Sequence, residues 1–91
     1  MNEESRPKQT EQTLKQKLSE EMVLLNLKDG QYYSLDPVGQ RVWELCDGTR
    51  RVSEIITVIC SEFDAGRERV RDDLLELLGE LADAKLVEEL P

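Results

Sequence analysis

The chain lacks histidine altogether and holds only two cysteines, Cys46 and Cys60. Without histidine, neither a Ser-His nor a Cys-His catalytic pair can form, and most zinc sites lose a usual ligand. Both cysteines lie within apolar helical patterns, which favours small buried side chains over the alternative of a disulfide. The many carboxylates interleave with lysine and arginine, as on solvated helix surfaces. The sequence therefore predicts no catalytic residue, no cofactor and no metal, and hence a protein that is not an enzyme.

The chain also lacks a long apolar run and an excess of positive charge. No run approaches the ~18 residues that a membrane span needs, and the amino terminus has no apolar signal segment. Twenty acidic against twelve basic residues give a net charge of −8, which opposes a sequence-independent grip on phosphate backbones. We therefore expect a soluble cytoplasmic protein, a monomer or weak dimer, that binds neither membrane nor nucleic acid.

The amino-terminal segment is poor in apolar residues. Residues 1–17 hold only Met1 and Leu14 as large apolar side chains. Such a segment buries too little surface by itself to offset the entropy lost on ordering. The composition therefore predicts a flexible polar segment over residues 1–17 and one small folded domain over residues 18–91.

The stretch "VLLNLKDGQYYSLD", residues 23–36, predicts a β-hairpin. A three-residue loop at residues 28–30, with Gly30 left-handed, pairs Leu25 with Tyr33 and turns Tyr33 toward the core. A two-residue loop would instead set Leu25 against a serine and waste one apolar face, so the longer loop is preferred.

A third strand can join this hairpin on one side only. The sequence "TLKQK" of residues 13–17 suits a short, weak strand on the free edge of residues 22–27. The other edge, along residues 31–35, then stays open to solvent.

Periodic apolar residues predict three helices after the hairpin. The first begins at a cap formed by Asp36 and Pro37 and closes at Gly48. The second spans residues 52–63 and the third residues 67–84, each with apolar side chains at i, i+3, i+4 and i+7. The predicted fold class is α+β, winged-helix-like, with an antiparallel sheet of two or three strands followed by three helices.

The third helix carries more apolar surface than a single stripe. At ~100° per residue, Leu75 lies about 140° from Val70, near Arg71 and Leu78. Two interpretations stay open: Leu75 widens the core face, or it lines a shallow groove between this helix and the open strand edge. The main stripe consists of Val70, Leu74, Leu77, Leu78 and Leu81.

Two long stretches, "VLLNLKDGQYYSLDPVGQRVWELCDGTRRVSEI" and "VRDDLLELLGELADAKLVEE", resemble the PqqD family, named for pyrroloquinoline quinone biosynthesis. The resemblance covers about residues 20–89. It implies a domain that recognises the leader region of a ribosomally made precursor peptide and presents it to a modifying enzyme, often a radical SAM enzyme. In that family the leader is added as a strand beside the third strand and lies against the third helix.

Carried over residue by residue, the resemblance predicts a peptide-binding site on one strand and one helix. Two departures touch helix ends: Lys85 stands where the family commonly has glycine, and Arg51 where it often has a capping threonine. The predicted binding residues are Gln31, Tyr32, Tyr33, Ser34 and Leu35 on the strand, and Arg71, Leu75 and Leu78 on the helix.

Other functions remain open from the sequence alone. A winged-helix DNA-binding transcription regulator needs a basic recognition helix, but the third helix has arginines only in its first turns. A subunit that merely stabilises an enzyme is a further alternative. The residues do not specify the precursor, or whether the product is pyrroloquinoline quinone, a lasso peptide or another compound.

Overall fold

The computed structural model describes all of residues 1–91 and contains five strands and three helices. One antiparallel sheet has the strand order β2-β3-β4, and a second sheet pairs β1 with β5. The predicted α+β class, an antiparallel sheet followed by three helices, is confirmed. The elements are β1 Arg6–Gln9, β2 Thr13–Leu18, β3 Glu21–Asn26, β4 Tyr32–Leu35, α1 Pro37–Leu45, α2 Val52–Phe63, α3 Arg67–Asp83 and β5 Val87–Leu90.

Residues 1–17 differ from the flexible segment that their composition predicts. They contain β1 and most of β2, and β1 pairs along its whole length with β5. The amide of Val52 donates to the Ser5 carbonyl at 2.8 Å, and the Gln9 amide donates to the Cys46 carbonyl at 2.9 Å. These partners lie far along the chain, so composition within the segment could not reveal them. The mobility of the segment in solution and the domain boundary at residue 18 stay predictions.

The hairpin of β3 and β4 is present, but its predicted register is wrong by one residue. Leu24, rather than Leu25, pairs with Tyr33, and five residues, 27–31, join the strands. The register is set by Asn26, which is fully buried: its Nδ2 donates to the Ala84 carbonyl at 3.1 Å, and its Oδ1 accepts the Lys28 amide at 2.9 Å. A buried side chain with satisfied polar atoms therefore replaces the leucine expected on that face.

Other features of the hairpin agree with expectation. Gly30 is left-handed, with φ of 77°. Tyr33 points toward the helices and is half-buried, whereas Tyr32 is 72% exposed on the outer face. Strand β2 joins the far side of β3, which leaves the edge of β4 without a neighbour, as predicted.

The three helices begin and end close to the predicted residues. The Asp36 carboxylate accepts the Gly39 amide at 2.8 Å and caps α1, while the Glu54 carboxylate accepts the Arg51 amide at 2.9 Å and caps α2. After α3, Lys85 adopts a left-handed φ of 60°. A side chain in that conformation costs on the order of 1 kcal/mol relative to glycine.

The core lies between the helices and the inner face of the larger sheet. Trp43 is 3% exposed and packs in this core. Both cysteines are free thiols, Cys46 buried and Cys60 half-buried, and burial raises the pKa of Cys46 to about 12. No helix has the length and apolar character needed to cross a bilayer.

Candidate functional site

The free edge of β4 presents unpaired backbone groups. The Asn26 amide donates to the Gln31 carbonyl at 2.8 Å, which fixes the hydrogen-bonded pairs of this ladder. Because such pairs alternate along antiparallel strands, Tyr33 and Leu35 direct their backbone groups toward β3. Tyr32 and Ser34 direct their amides and carbonyls to the open edge, where a further strand can bind them.

A cavity of about 410 Å³ lies beside this edge, between β4, the first turn of α1 and one face of α3. Eight of its twelve lining residues are hydrophobic. Val38, which is 39% exposed, stands at its mouth. The cavity therefore combines an apolar interior with access from solvent. Its walls include Tyr33 and Leu35 from β4, Val38 from α1, and Asp73, Leu74 and Leu77 from α3.

One side chain bridges β4 and α3 at an end of the cavity. The Tyr33 hydroxyl donates a hydrogen bond to Oε2 of Glu80. This bond, assisted by burial and by the negative charges of Glu80, Glu76 and Asp36, raises the pKa of Tyr33 to about 12. Tyr33 therefore stays neutral and remains a donor through the physiological range.

The strand residues predicted to bind peptide do lie together at this edge. Tyr33, Ser34 and Leu35 line the cavity, although Leu35 is 2% exposed and contributes mainly from within the core. Tyr32 projects from the outer face of the sheet, and Gln31 lies exposed just before β4. The open edge offers the backbone groups of Tyr32 and Ser34, and only some of the five side chains can reach the cavity.

The predicted helix residues do not lie at the cavity. Arg71 donates to Glu3 at 3.0 Å on the far side of α3. Leu75 is partly buried against the core, and Leu78 is fully buried. At ~100° per residue, Leu75 lies about 160° around the helix from Leu77, which does line the cavity.

Sequence reasoning missed Asp73 and Leu77 because it assigned Leu77 to the core stripe of α3. A groove beside β4 must border that stripe on one of its two sides. Which side faces β4 depends on how α3 packs across the sheet. The spacing of residues along the helix does not distinguish the two sides. The acidic residue one turn before Leu77 is a usable signal, since Asp73 marks the solvent border of the stripe.

Comparison with known proteins supports the resemblance seen in the sequence. Residues 21–87 match the family described as coenzyme PQQ synthesis protein D (PqqD). A PqqA binding protein of Rhodopseudomonas palustris (strain BisB5) is 33% identical over 54 residues, covering 59% of this chain and 53% of that protein. The matched region of the chain thus spans about half the length of this curated relative.

A solved structure matches over almost the whole chain. The structure of TbiB1 in complex with the TbiA(beta) leader peptide is similar with a TM-score of 0.80 and 36% sequence identity. The match covers 92% of this chain and 98% of that chain. Sequence and fold therefore agree, and the chain belongs to the PqqD family.

Proposed function

We propose that this protein binds the leader region of a ribosomally made precursor peptide as a fourth strand on β4. The observation that carries the proposal is the unpaired edge of β4 beside an apolar cavity. Strand addition suits this edge, because backbone hydrogen bonds give affinity and side-chain pockets give specificity. Family membership supports it, as do a relative named for PqqA binding and a similar structure that holds a leader peptide.

The proposal gives two roles to the residues of the site. Tyr32 and Ser34 hydrogen-bond the peptide backbone, since their amides and carbonyls face the open edge. Alternate peptide side chains then point toward the helices and enter the cavity between Val38 and Leu77. Arg71, Leu75 and Leu78 have no direct part in this proposal, because none of them lines the cavity.

The bound leader is presented to a separate modifying enzyme, and this protein contributes no catalytic group. A radical SAM enzyme, as in pyrroloquinoline quinone biosynthesis, is the partner we propose on the basis of the family. We place the interaction in the cytoplasm, with the protein acting as a monomer or weak dimer. The alternative of a DNA-binding regulator is less favoured, because Arg67 and Arg71 both form ion pairs with Glu3.

A titration tests the proposal with a matched pair of variants. The ligand is the leader region of the precursor encoded beside this chain's gene, followed by calorimetry or fluorescence anisotropy. Ser34→Pro removes the amide donor at the open edge, whereas Ser34→Ala keeps it. We expect Ser34→Pro to weaken binding by about 1–2 kcal/mol, and Ser34→Ala to change it little.

Circular dichroism must show that both variants keep the fold. Equal affinity of the two folded variants would contradict strand addition at β4.

A further inference from the structure

Four carboxylates surround the cavity beside β4. Asp36 and Asp73 line it, and the charges of Glu76 and Glu80 lie close enough to act on Tyr33 inside it. Two of the four have fixed tasks in the fold. Asp36 caps α1, and Glu80 accepts the hydrogen bond of the Tyr33 hydroxyl.

The other two carboxylates are available to a ligand. Glu76 forms no hydrogen bond or ion pair, and Asp73 meets only Arg69, at 3.8 Å. The side chains of this ion pair are 88% exposed for Arg69 and 72% exposed for Asp73. Pairs so exposed contribute little to stability. No lysine or arginine lines the cavity. The cavity beside β4, which with the open edge forms the peptide groove, therefore has negative charge at its rim and no basic side chain in its lining.

Asp73 and Glu76 also stand in a useful position relative to the apolar part of the groove. They are three residues apart on α3, so they are neighbours on the helix surface. At ~100° per residue, Asp73 lies about 40° from Leu77 and Glu76 about 100°, on the same side. A strand that buries one side chain against Leu77 thus carries its next inward side chain, two residues away, past this acidic pair.

We propose that the groove selects a leader segment in which a lysine or arginine lies two residues from the apolar side chain that it buries. This inference rests on the proposed leader binding and adds the chemical class of peptide to it. The base pairs with Asp73 and Glu76, while an acidic residue at that position meets like charge. Attraction and repulsion together give specificity that backbone hydrogen bonds alone do not supply.

Selection from a displayed library of random peptides tests the inference. Three forms of the full chain serve as bait: wild type, Asp73→Asn/Glu76→Gln, and the control Glu68→Gln/Asp83→Asn. The control removes the same number of negative charges from α3, at residues outside the cavity lining. It therefore separates a local effect from the overall charge of −8.

We expect wild type and control to enrich lysine or arginine about threefold at the position two residues from an apolar residue. The variant Asp73→Asn/Glu76→Gln, called the groove variant below, should show no such enrichment. With a synthetic peptide of the selected sequence, Lys→Glu should weaken wild-type binding about tenfold and binding to the groove variant about threefold or less.

The inference is overturned if the groove variant enriches bases as wild type does, or if the control loses the enrichment equally. In those outcomes the proposed function still stands, provided that the selected peptides bind Ser34→Pro more weakly than Ser34→Ala. If no peptide is enriched, or the selected peptides bind Ser34→Pro as tightly as Ser34→Ala, the proposed function fails together with this inference.

Discussion

The larger sheet has two edges. Both expose unpaired backbone groups, but the edge strands differ in charge and in their surroundings. Both β2 and β4 have a single neighbour, β3, and therefore expose a row of unpaired amides and carbonyls. Strand β2 carries Lys15 and Lys17, whereas β4, with the sequence YYSL, carries no charge. Lysine on an edge strand is a recognised obstacle to the addition of another strand.

The surroundings of the two edges sharpen this difference. Lys15 and Lys17 pair with Leu24 and Met22 in the register, so they lie on the helix-facing side of the sheet. The Lys15 ammonium lies 5.8 Å from the ring centroid of Trp43 on that side. On the same side of β4 there is an apolar cavity instead. Of the two edges, only that of β4 combines unpaired backbone groups with an uncharged strand and an adjacent apolar cavity.

The largest expected effect comes from weakening the helix that walls the β4 edge. Leu78 is fully buried, so Leu78→Ala should lower the free energy of unfolding by about 2–5 kcal/mol. Urea unfolding followed by circular dichroism measures this. If Leu78 lined the groove, as the family resemblance implies, replacement would lower peptide affinity and spare stability. If Leu78→Ala has the same free energy of unfolding as wild type, that result would contradict the placement of Leu78 in the core.

Removal of residues 1–9 tests how much the segment before β2 contributes to the stability of the fold. The deletion breaks the pairing of β1 with β5 and the backbone bond from Val52 to Ser5. At about 1 kcal/mol per hydrogen bond, less the ordering entropy that is regained, we expect a loss of about 2 kcal/mol in stability. Leader affinity should stay unchanged, because β4 is untouched. Unaltered stability would instead favour the flexible segment predicted from composition.

A third pair of variants compares the two sides of α3. Leu77 lines the cavity and Leu75 lies on the far side, and both are partly buried. Leu77→Ser should weaken leader binding by about 1–2 kcal/mol through lost apolar contact, whereas Leu75→Ser should leave it nearly unchanged. Titration of the two folded variants with the leader peptide decides this. A stronger effect at Leu75 would return the groove to the face predicted from the sequence.

The smallest effect concerns Tyr33, the side chain that links β4 to α3. Its pKa is raised to about 12 from the ordinary value of 10.0, chiefly by the hydrogen bond to Glu80. The neutral form is thus favoured by folding, so this contribution is complete below the unfolded pKa. It is lost as pH rises through the folded pKa, and physiological pH leaves it intact.

Absorbance titration can follow Tyr33 alone, because Tyr32→Phe leaves it as the only tyrosine. The phenol should ionise near pH 12 while the protein stays folded. The same titration in a Glu80→Gln background should move the pKa toward its ordinary value. Ionisation at the ordinary pKa with Glu80 in place would show that the bond does not form in solution.

The helices were predictable from the sequence because their signals are local and repeated. The third helix, predicted at residues 67–84, spans Arg67–Asp83 in the structure. Several leucines at helical spacing fix such an element together, and the cap at Asp36 fixes the start of another. The open β4 edge was also predictable, because β3 could accept the weak strand of residues 13–17 on one side only.

The remaining features depend on contacts that no local pattern encodes. The hairpin register follows from Asn26, whose buried amide finds the Ala84 carbonyl 58 residues away. Strand β1 exists because β5, at the other end of the chain, pairs with it. The face of α3 beside the cavity follows from its packing, so Leu77 lines the cavity and Leu75 does not. Of the residues predicted to bind peptide, Tyr33, Ser34 and Leu35 line the cavity, and the three helix residues do not.

Hydrogen exchange at the two sheet edges tests leader binding at β4 most directly. The amides of Tyr32 and Ser34 face the open edge of β4, and those of Lys15 and Lys17 face the open edge of β2. On addition of the leader peptide, we expect exchange at Tyr32 and Ser34 to slow by about tenfold or more, with no change at the two lysines. Unchanged exchange on β4, or slowing on β2 instead, would contradict addition of the leader as a fourth strand beside β4.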